Sequence, residues 1–339
     1  MAETVVGLMG LGRIGRNLVR ILHEAGDVRL AVISDPADHA GLEYLLRYDT
    51  ILGRFPAPVA LRDGKLHVGG REIAMLDKEN PGDVPWTELG VDVVIEATGR
   101  HRSRAELERH LAAGAKRVIL CAPPLDPPDI TVVAGVNDDA LRPEHRIVSN
   151  GSVTAHAAGP VLKILHRAFG IERAFLSAVH AYTSQLRLAD VPAEDMRTGR
   201  AAAENIIPQS THVADMLMEM LPPLQGRLTG MALNVPVSNG SVVDLTCWHD
   251  RPVSVHSINE ALRTASAGDW KGIVEYEDGP IVSADIRLSP YSSTFDSLAT
   301  MVIGDRLSKT LSWYDNGWGY AHRAVDLIRR FGELERRAA

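Results

Sequence analysis

The chain has 339 residues, 45% of them hydrophobic, with 36 basic against 43 acidic side chains and a net charge of −7. That length and apolar content suffice for one large or two medium domains with real cores, and the acidic balance argues against a nucleic-acid partner, whose phosphates call for concentrated Lys and Arg. Two cysteines, Cys121 and Cys247, make neither a disulfide framework nor a metal-ligand cluster, so a reducing, cytoplasmic setting and no metal are expected. The residues from Met1 to Gly10 lack the basic region of a signal peptide, and no stretch approaches the roughly 20 apolar residues of a membrane span.

In chain order, Thr4 to Met9 is strand-like, Arg13 to His23 places Ile14, Leu18, Ile21 and Leu22 at helical spacing, and Val28 to Ile33 is strand-like again. Val91 to Ala97, Arg117 to Cys121 and Ile130 to Val136 are further apolar runs. Strand and helix in alternation predict a parallel, doubly wound α/β sheet of Rossmann type. Beyond Gly151 the pattern changes. Ala174 to His180, Gly230 to Val237, Ser241 to Trp248 and Leu307 to Tyr314 are long strand-like runs, separated by helical segments at Pro160 to Ala168, Ser210 to Leu221 and Val255 to Ala265. This second half predicts an α+β domain on a mixed or antiparallel sheet.

The first chemical motif is Gly10-Leu11-Gly12-Arg13-Ile14-Gly15, which follows a strand and opens a helix. Asp35 stands at the end of the next strand, at the spacing of a dinucleotide-binding unit. The glycines permit a tight turn, helix-terminal N–H groups hold a pyrophosphate, and the carboxylate accepts from ribose hydroxyls while repelling a 2′-phosphate. NAD is therefore expected in preference to NADP, bound through Gly10, Gly12, Arg13, Ile14, Gly15 and Asp35.

Gly10 to Arg16, Tyr44 to Thr50 with Gly53-Arg54-Phe55, Glu96-Ala97-Thr98-Gly99 and Val179-His180-Ala181-Tyr182-Thr183 are family-like motifs. So are Gly199-Arg200, Asn205 to Pro208, Leu228 to Ala232, Ser241 to Leu245 and Trp313-Tyr314-Asp315-Asn316. In this order and spacing the chain resembles the glyceraldehyde-3-phosphate dehydrogenase family over nearly its whole length. The resemblance implies an NAD-binding domain over 1–150, completed by a C-terminal helix over 316–339, a catalytic domain over 151–315, and a homotetramer. It adds Thr98, Gly99, Asn316 and Tyr320 to the expected cofactor contacts.

The segment Ser149-Asn150-Gly151-Ser152-Val153-Thr154-Ala155-His156 resembles the family's active-site run, in which a cysteine attacks the aldehyde. Here Val153 stands at that cysteine's place, and an isopropyl group cannot be a nucleophile. His156 replaces a family asparagine, Thr211-His212 a Thr-Gly pair, Asn234 a phosphate-gripping arginine, and Gly317 a residue that is usually glutamate. His180, Thr183, Arg197, Ser152, Thr154 and Thr211 survive.

Intact cofactor residues beside a rebuilt pocket imply retained redox chemistry on another substrate. His180 is expected to give or take a proton as hydride moves directly between NAD and a C=O or C–OH carbon, with His156 as a candidate second acid. Ser152, Thr154, Thr183, Arg197, Thr211, His212 and Asn234 are the candidate contacts to a small anionic metabolite bearing phosphate, phosphonate or carboxylate, such as a 2-oxo or 2-hydroxy acid. Ser152 and Thr154 also read as caps of a helix beginning near Ala155, and His156 and His212 as gap-fillers. Two other functions remain open: a non-catalytic paralogue that binds NAD and a metabolite and acts through a partner, and oxidation of an aldehyde hydrate without a thioester.

Overall fold

The computed structural model describes residues 3–338. The chain divides into two compact units, one formed by Met1–Val132, Asp139–Gly151 and Ala321–Ala339, the other by Val133–Asp138 and Ser152–Tyr320. No helix among the described residues is long and apolar enough to cross a membrane.

The first unit runs β1 (Thr4–Met9), α1 (Arg13–Glu24), β2 (Val28–Ser34), α2 (His39–Arg47), the short pair β3 (Tyr48–Asp49) and β4 (Gly53–Arg54), then β5 (Val59–Arg62), β6 (Lys65–Val68) and β7 (Arg71–Leu76). β8 (Val93–Glu96), α3 (Arg104–Ala112), β9 (Arg117–Leu120), β10 (Ile130–Thr131) and β11 (Ile147–Ser149) follow. Nine strands form one sheet in the order β10-β11-β9-β8-β1-β2-β7-β6-β5. All pairings from β10 to β7 are parallel, while β5, β6 and β7 form an antiparallel meander. Central parallel strands are covered on both faces and so read as continuous apolar runs; in β8 all four residues are buried. The chain leaves β1 toward β2 on one side and later returns to β8 on the other. The carboxyl ends of β1, β2 and β8 therefore meet where the winding reverses, the place where open α/β sheets bind ligands.

The second unit contains α4 (Val153–Phe169), β12 (Arg173–Ala181), β13 (Ile207–Gln209), α5 (Val213–Met220), β14 (Leu228–Val235), β15 (Ser241–Trp248), α6 (Val255–Ala267), β16 (Val274–Glu277), β17 (Ser293–Ile303), β18 (Leu307–Tyr314) and the start of α7 (Trp318–Ala338). Its sheet has the order β13-β14-β12-β15-β18-β17-β16. β12 with β14 and β16 with β17 are parallel and the remaining pairs antiparallel, so the sheet is mixed. One face carries Leu176, Val243, Leu245 and Phe295 into a core shared with Ala158, Val161, Leu162 and Leu165 of α4. Burying each such Leu or Phe contributes about 1.5–3 kcal/mol. Gly159 lets α4 approach α5 and the loop at Val136, since a Cβ there would stand 2.8 Å from a Val136 methyl and 2.9 Å from a Leu217 methyl.

Two expectations need correction. The Ile130 to Val136 run is a strand only over Ile130–Thr131, because the chain then bends into a loop in which Asn137 Oδ1 accepts the Val133 N–H at 2.8 Å and Asp138 Oδ1 that of Gly135 at 2.8 Å. The helix read as starting at Pro160, or near Ala155, begins at Val153 and carries Pro160 inside it.

Candidate active site

Gly10 ends β1 with φ +94°, in the left-handed region that favours glycine. Its N–H donates to the Ser34 carbonyl at 2.9 Å. A Cβ on Gly15 would lie 2.2 Å from the Gly10 carbonyl oxygen, so α1 can follow the turn this tightly only with glycine there. Gly12 is the N-cap of α1 and supplies no side-chain cap, which leaves the helix-terminal N–H groups, those of Arg13 and Ile14 first, directed out of the turn. Asp35 fastens the end of β2 to this turn, accepting the Leu11 N–H at 2.8 Å and the Ala37 N–H at 3.0 Å. A cleft of about 330 Å³ opens over the three strand ends, lined by Gly10, Gly12, Asp35, Lys78, Thr98 and Arg100 among others. The Thr98 hydroxyl donates to Glu96 and accepts the Arg100 N–H, so it is already committed within the wall of the cleft. Gly99 follows with φ +70°. Cradle, uncapped helix start and ribose-side carboxylate all fit a dinucleotide.

In the second unit, sheet register gathers a polar row at one end of four strands. His180 on β12 is paired with Asn234 on β14; Ser241 on β15 follows the Val179–Val242 pair and is itself paired with Tyr314 on β18. His180 Nδ1 lies 2.7 Å from the Ala181 carbonyl oxygen, an acceptor, so Nδ1 carries the hydrogen of the ring. The Ser241 hydroxyl accepts the Ala181 N–H and donates to Asn316 Oδ1, both at 2.9 Å. This turns the Asn316 amide nitrogen toward the His180 ring, 3.3 and 3.4 Å from its two nitrogens. Tyr314 stands edge-on to His180 at 6.1 Å, with its hydroxyl 3.1 Å from that of Thr154. Burial pushes the Tyr314 phenol up to about 12, so it stays neutral.

Asp315 fixes the segment that carries Asn316. One oxygen accepts the Gly317 and Trp318 N–H groups at 2.8 and 2.7 Å; the other accepts Asn239 Nδ2 at 2.7 Å and the Leu288 N–H at 3.0 Å. Leu288 has φ +65°, a left-handed conformation that is unusual for a leucine.

The remaining expected contacts fall in different settings. Ser152 is the N-cap of α4 but makes no side-chain cap bond, and Val153 is the first helical residue, partly buried against the core. Thr154 does not cap; its hydroxyl is buried, 3.1 Å from that of Tyr314. His156 is 2% exposed and stacks edge-on against Tyr320 at 5.9 Å. Thr183 and Thr211 accept the N–H groups of Gln185 and Val213. Arg197 is exposed, in a long loop where Arg200 pairs with Asp190 at 3.0 Å. His212 is the N-cap of α5, with a fully solvated ring 3.9 Å from Asp215. Asn234 is buried and donates to Gln209 Oε1 at 2.9 Å.

Ser241, Tyr314, Asn239 and Gln209 were not foreseen as site residues. Ser241 and Tyr314 lie inside family-like motifs but carry no distinguishing chemistry there, and Asn239 and Gln209 carry no local signal. Both cysteines are buried. Burial pushes the Cys247 thiol up to about 12, and burial together with nearby Glu96 pushes Cys121 upward as well. Among the described residues no group of three or more His, Cys, Asp or Glu side chains could hold a metal.

Residues 4–104 match the NAD binding domain of glyceraldehyde 3-phosphate dehydrogenase, and residues 152–316 match its C-terminal domain. Glyceraldehyde-3-phosphate dehydrogenase of Geobacillus stearothermophilus is 45% identical, covering 95% of this chain and 96% of its own. The enzyme of that name from Streptomyces coelicolor is 46% identical over the same shares, and that from Mycobacterium leprae is 46% identical over 97% and 98%. The chain belongs to the glyceraldehyde-3-phosphate dehydrogenase family, with that family's NAD-binding domain in its first unit.

Proposed function

We propose that this NAD-dependent oxidoreductase is a divergent member of its family, lacking the catalytic cysteine, and transfers hydride directly between nicotinamide and the C=O or C–OH carbon of a small anionic metabolite. A 2-oxo or 2-hydroxy acid fits this description. The observation that carries the reading is a kept proton-transfer group beside a missing nucleophile. His180 is oriented by Ala181, Ser241 and Asn316, while the first turn of α4 begins with Val153 and both thiols lie in cores.

NAD, when bound, supplies the hydride acceptor or donor. The residues we assign to hold it are Gly10, Gly12, Arg13, Ile14, Gly15, Asp35, Thr98 and Gly99, which line or build the cleft of the first unit; the family resemblance implies Asn316 and Tyr320 as further contacts. At the reacting carbon, His180 Nε2 gives a proton to the carbonyl oxygen in reduction and takes it back in oxidation. Val153 offers the substrate an apolar wall. The start of α4 lacks a side-chain cap bond, which leaves backbone N–H groups for an anion. Ser152, Thr183, Arg197 and Thr211 are the further anion contacts we assign. Asn234 meets this pocket with a neutral amide already committed to Gln209, which disfavours simple reuse of a triose phosphate.

The domains implied are a cofactor domain over 1–150 with the helix from 316, and a catalytic domain over 151–315, in a cytoplasmic homotetramer. Support for assembly comes from the outer face of the second sheet, which exposes Phe175 and Met231 on β12 and β14 and Met301 and Ile303 on β17, large apolar side chains of the kind that association covers. A screen of phosphorylated, phosphonylated and carboxylated carbonyls and alcohols, following NADH absorbance, tests the reading. Turnover of glyceraldehyde 3-phosphate with phosphate-dependent formation of an acyl phosphate would refute it. If no metabolite in the screen alters the absorbance, hydride transfer is not the function.

A further inference from the structure

Behind the cofactor cleft lies a chain of buried polar groups that the proposed chemistry does not use. Trp86, His110 and Glu96 are each 0% exposed. The Trp86 indole Nε1 is 3.1 Å from His110 Nδ1, and His110 Nε2 is 3.2 Å from Glu96 Oε2. An indole nitrogen can only donate, so Nδ1 must accept and the ring hydrogen sits on Nε2, pointing at Glu96. The other oxygen of Glu96 accepts both the backbone N–H of Thr98, at 2.8 Å, and the Thr98 hydroxyl. Glu96 is thus a fully buried acceptor of three hydrogen bonds, and such a group is tolerated in a core only while those bonds are made.

Both ends of the chain bear on the dinucleotide turn. Thr98 packs backbone-to-backbone against Gly10, where a Cβ would stand 2.8 Å from the Thr98 nitrogen. At the other end, the Trp86 ring packs against β1 at Gly7, where a Cβ would come within 2.4 Å of it. β1 delivers Gly10 three residues later.

We infer that Trp86, His110 and Glu96 form a positioning relay that holds Thr98 and Gly10 in register, making His110 a determinant of dinucleotide affinity although it is sealed from the cleft. The inference rests on the cofactor reading above and goes beyond it in assigning that role to a residue that touches no ligand. His110 acts through Glu96, and Glu96 through the Thr98 N–H. Removing the Nε2 hydrogen leaves a buried carboxylate oxygen unmatched, and Glu96 then moves, taking with it the strand end that walls the cleft.

The test compares His110→Leu with His110→Gln, whose amide restores a donor toward Glu96. NADH binding is measured by fluorescence titration of the full chain, alongside thermal melting of each variant. His110→Leu is expected to weaken NADH binding about tenfold, the scale of losing a donor to a buried charged acceptor. His110→Gln should bind within about threefold of the native chain even if its melting temperature falls as far as that of the leucine variant, since affinity follows the donor. Equal NADH affinity in His110→Leu and the native chain would overturn the relay, as would affinity that tracks melting temperature in both variants. Failure of the native chain itself to bind NADH would overturn the cofactor reading instead.

Discussion

Val153→Cys isolates the question of the missing nucleophile. Valine and cysteine differ little in volume, and residue 153 is only partly buried, so the substitution should cost no more than about 1.5 kcal/mol. The new thiol would open a helix of 17 residues whose N-cap leaves the terminal N–H groups uncapped. Helix N-termini bring a cysteine to ~7 or below, so at about pH 8 roughly nine-tenths of it would be thiolate. The native thiols behave differently. Cys247, held at about 12, is thiolate in only about one molecule in 10⁴ at that pH, and Cys121 is pushed upward by burial and Glu96. Burial of both slows reagent access further. Iodoacetamide followed by intact-mass measurement should therefore leave the native chain unlabelled while the variant takes up one equivalent. Turnover of the true substrate should be untouched by the reagent in the native chain and no faster in the variant, since direct transfer has no covalent step to accelerate. Rapid loss of native activity on labelling of Cys121 or Cys247 would refute the reasoning.

Gly15→Ala should abolish measurable NADH binding and destabilise the chain by about 2 kcal/mol or more, because its Cβ meets the Gly10 carbonyl at 2.2 Å, a backbone atom that cannot step aside; calorimetric affinity close to native would contradict this. His180→Asn should lower turnover of the substrate found by screening by roughly 10²–10⁴ while NADH affinity changes little; full activity would remove the ring from the chemistry. Burial, then Arg323 and Arg329, holds His322 at about 4 against an ordinary 6.5. As pH falls through that window the unfolded chain takes up the proton first, so stability contributed above 6.5 is lost on the way to 4. His322→Leu should flatten this part of the melting temperature–pH curve, and an unchanged slope would exclude the residue as a source of acid sensitivity.

Where burial alternates or is complete, elements were legible from the amino-acid order. Thr4–Met9, Ser241–Trp248 and Leu307–Tyr314 have the limits that their apolar patterns suggest. β17 was not legible, because its buried residues, on both faces, include Ser293, Thr294, Asp296, Ser297 and Thr300, polar residues that interrupt any apolar alternation. Pro160 suggested a helix start, whereas the Ala-rich turn before it already has high helical propensity and begins the helix at Val153. The glycine turn and Asp35 could be read because they are local in sequence. The row of Asn234, His180, Ser241 and Tyr314 could not, since it is assembled by pairing among four strands that are far apart in the chain. Residue type alone also could not tell that Thr154 and His156 face inward.

Asp315 gathers four donors from three separate stretches of chain around residues 239, 288 and 316–318. A clasp of this kind has no partly open form that keeps its bonds, because releasing any one stretch exposes a carboxylate lone pair that the others cannot satisfy. The amide hydrogens of Leu288, Gly317 and Trp318 should then exchange with solvent deuterium as one cooperative set, with a single opening free energy. The strained Leu288 turn would act as the spring that this clasp keeps loaded, and the orientation of Asn316 would be as durable as the slowest of those exchange rates.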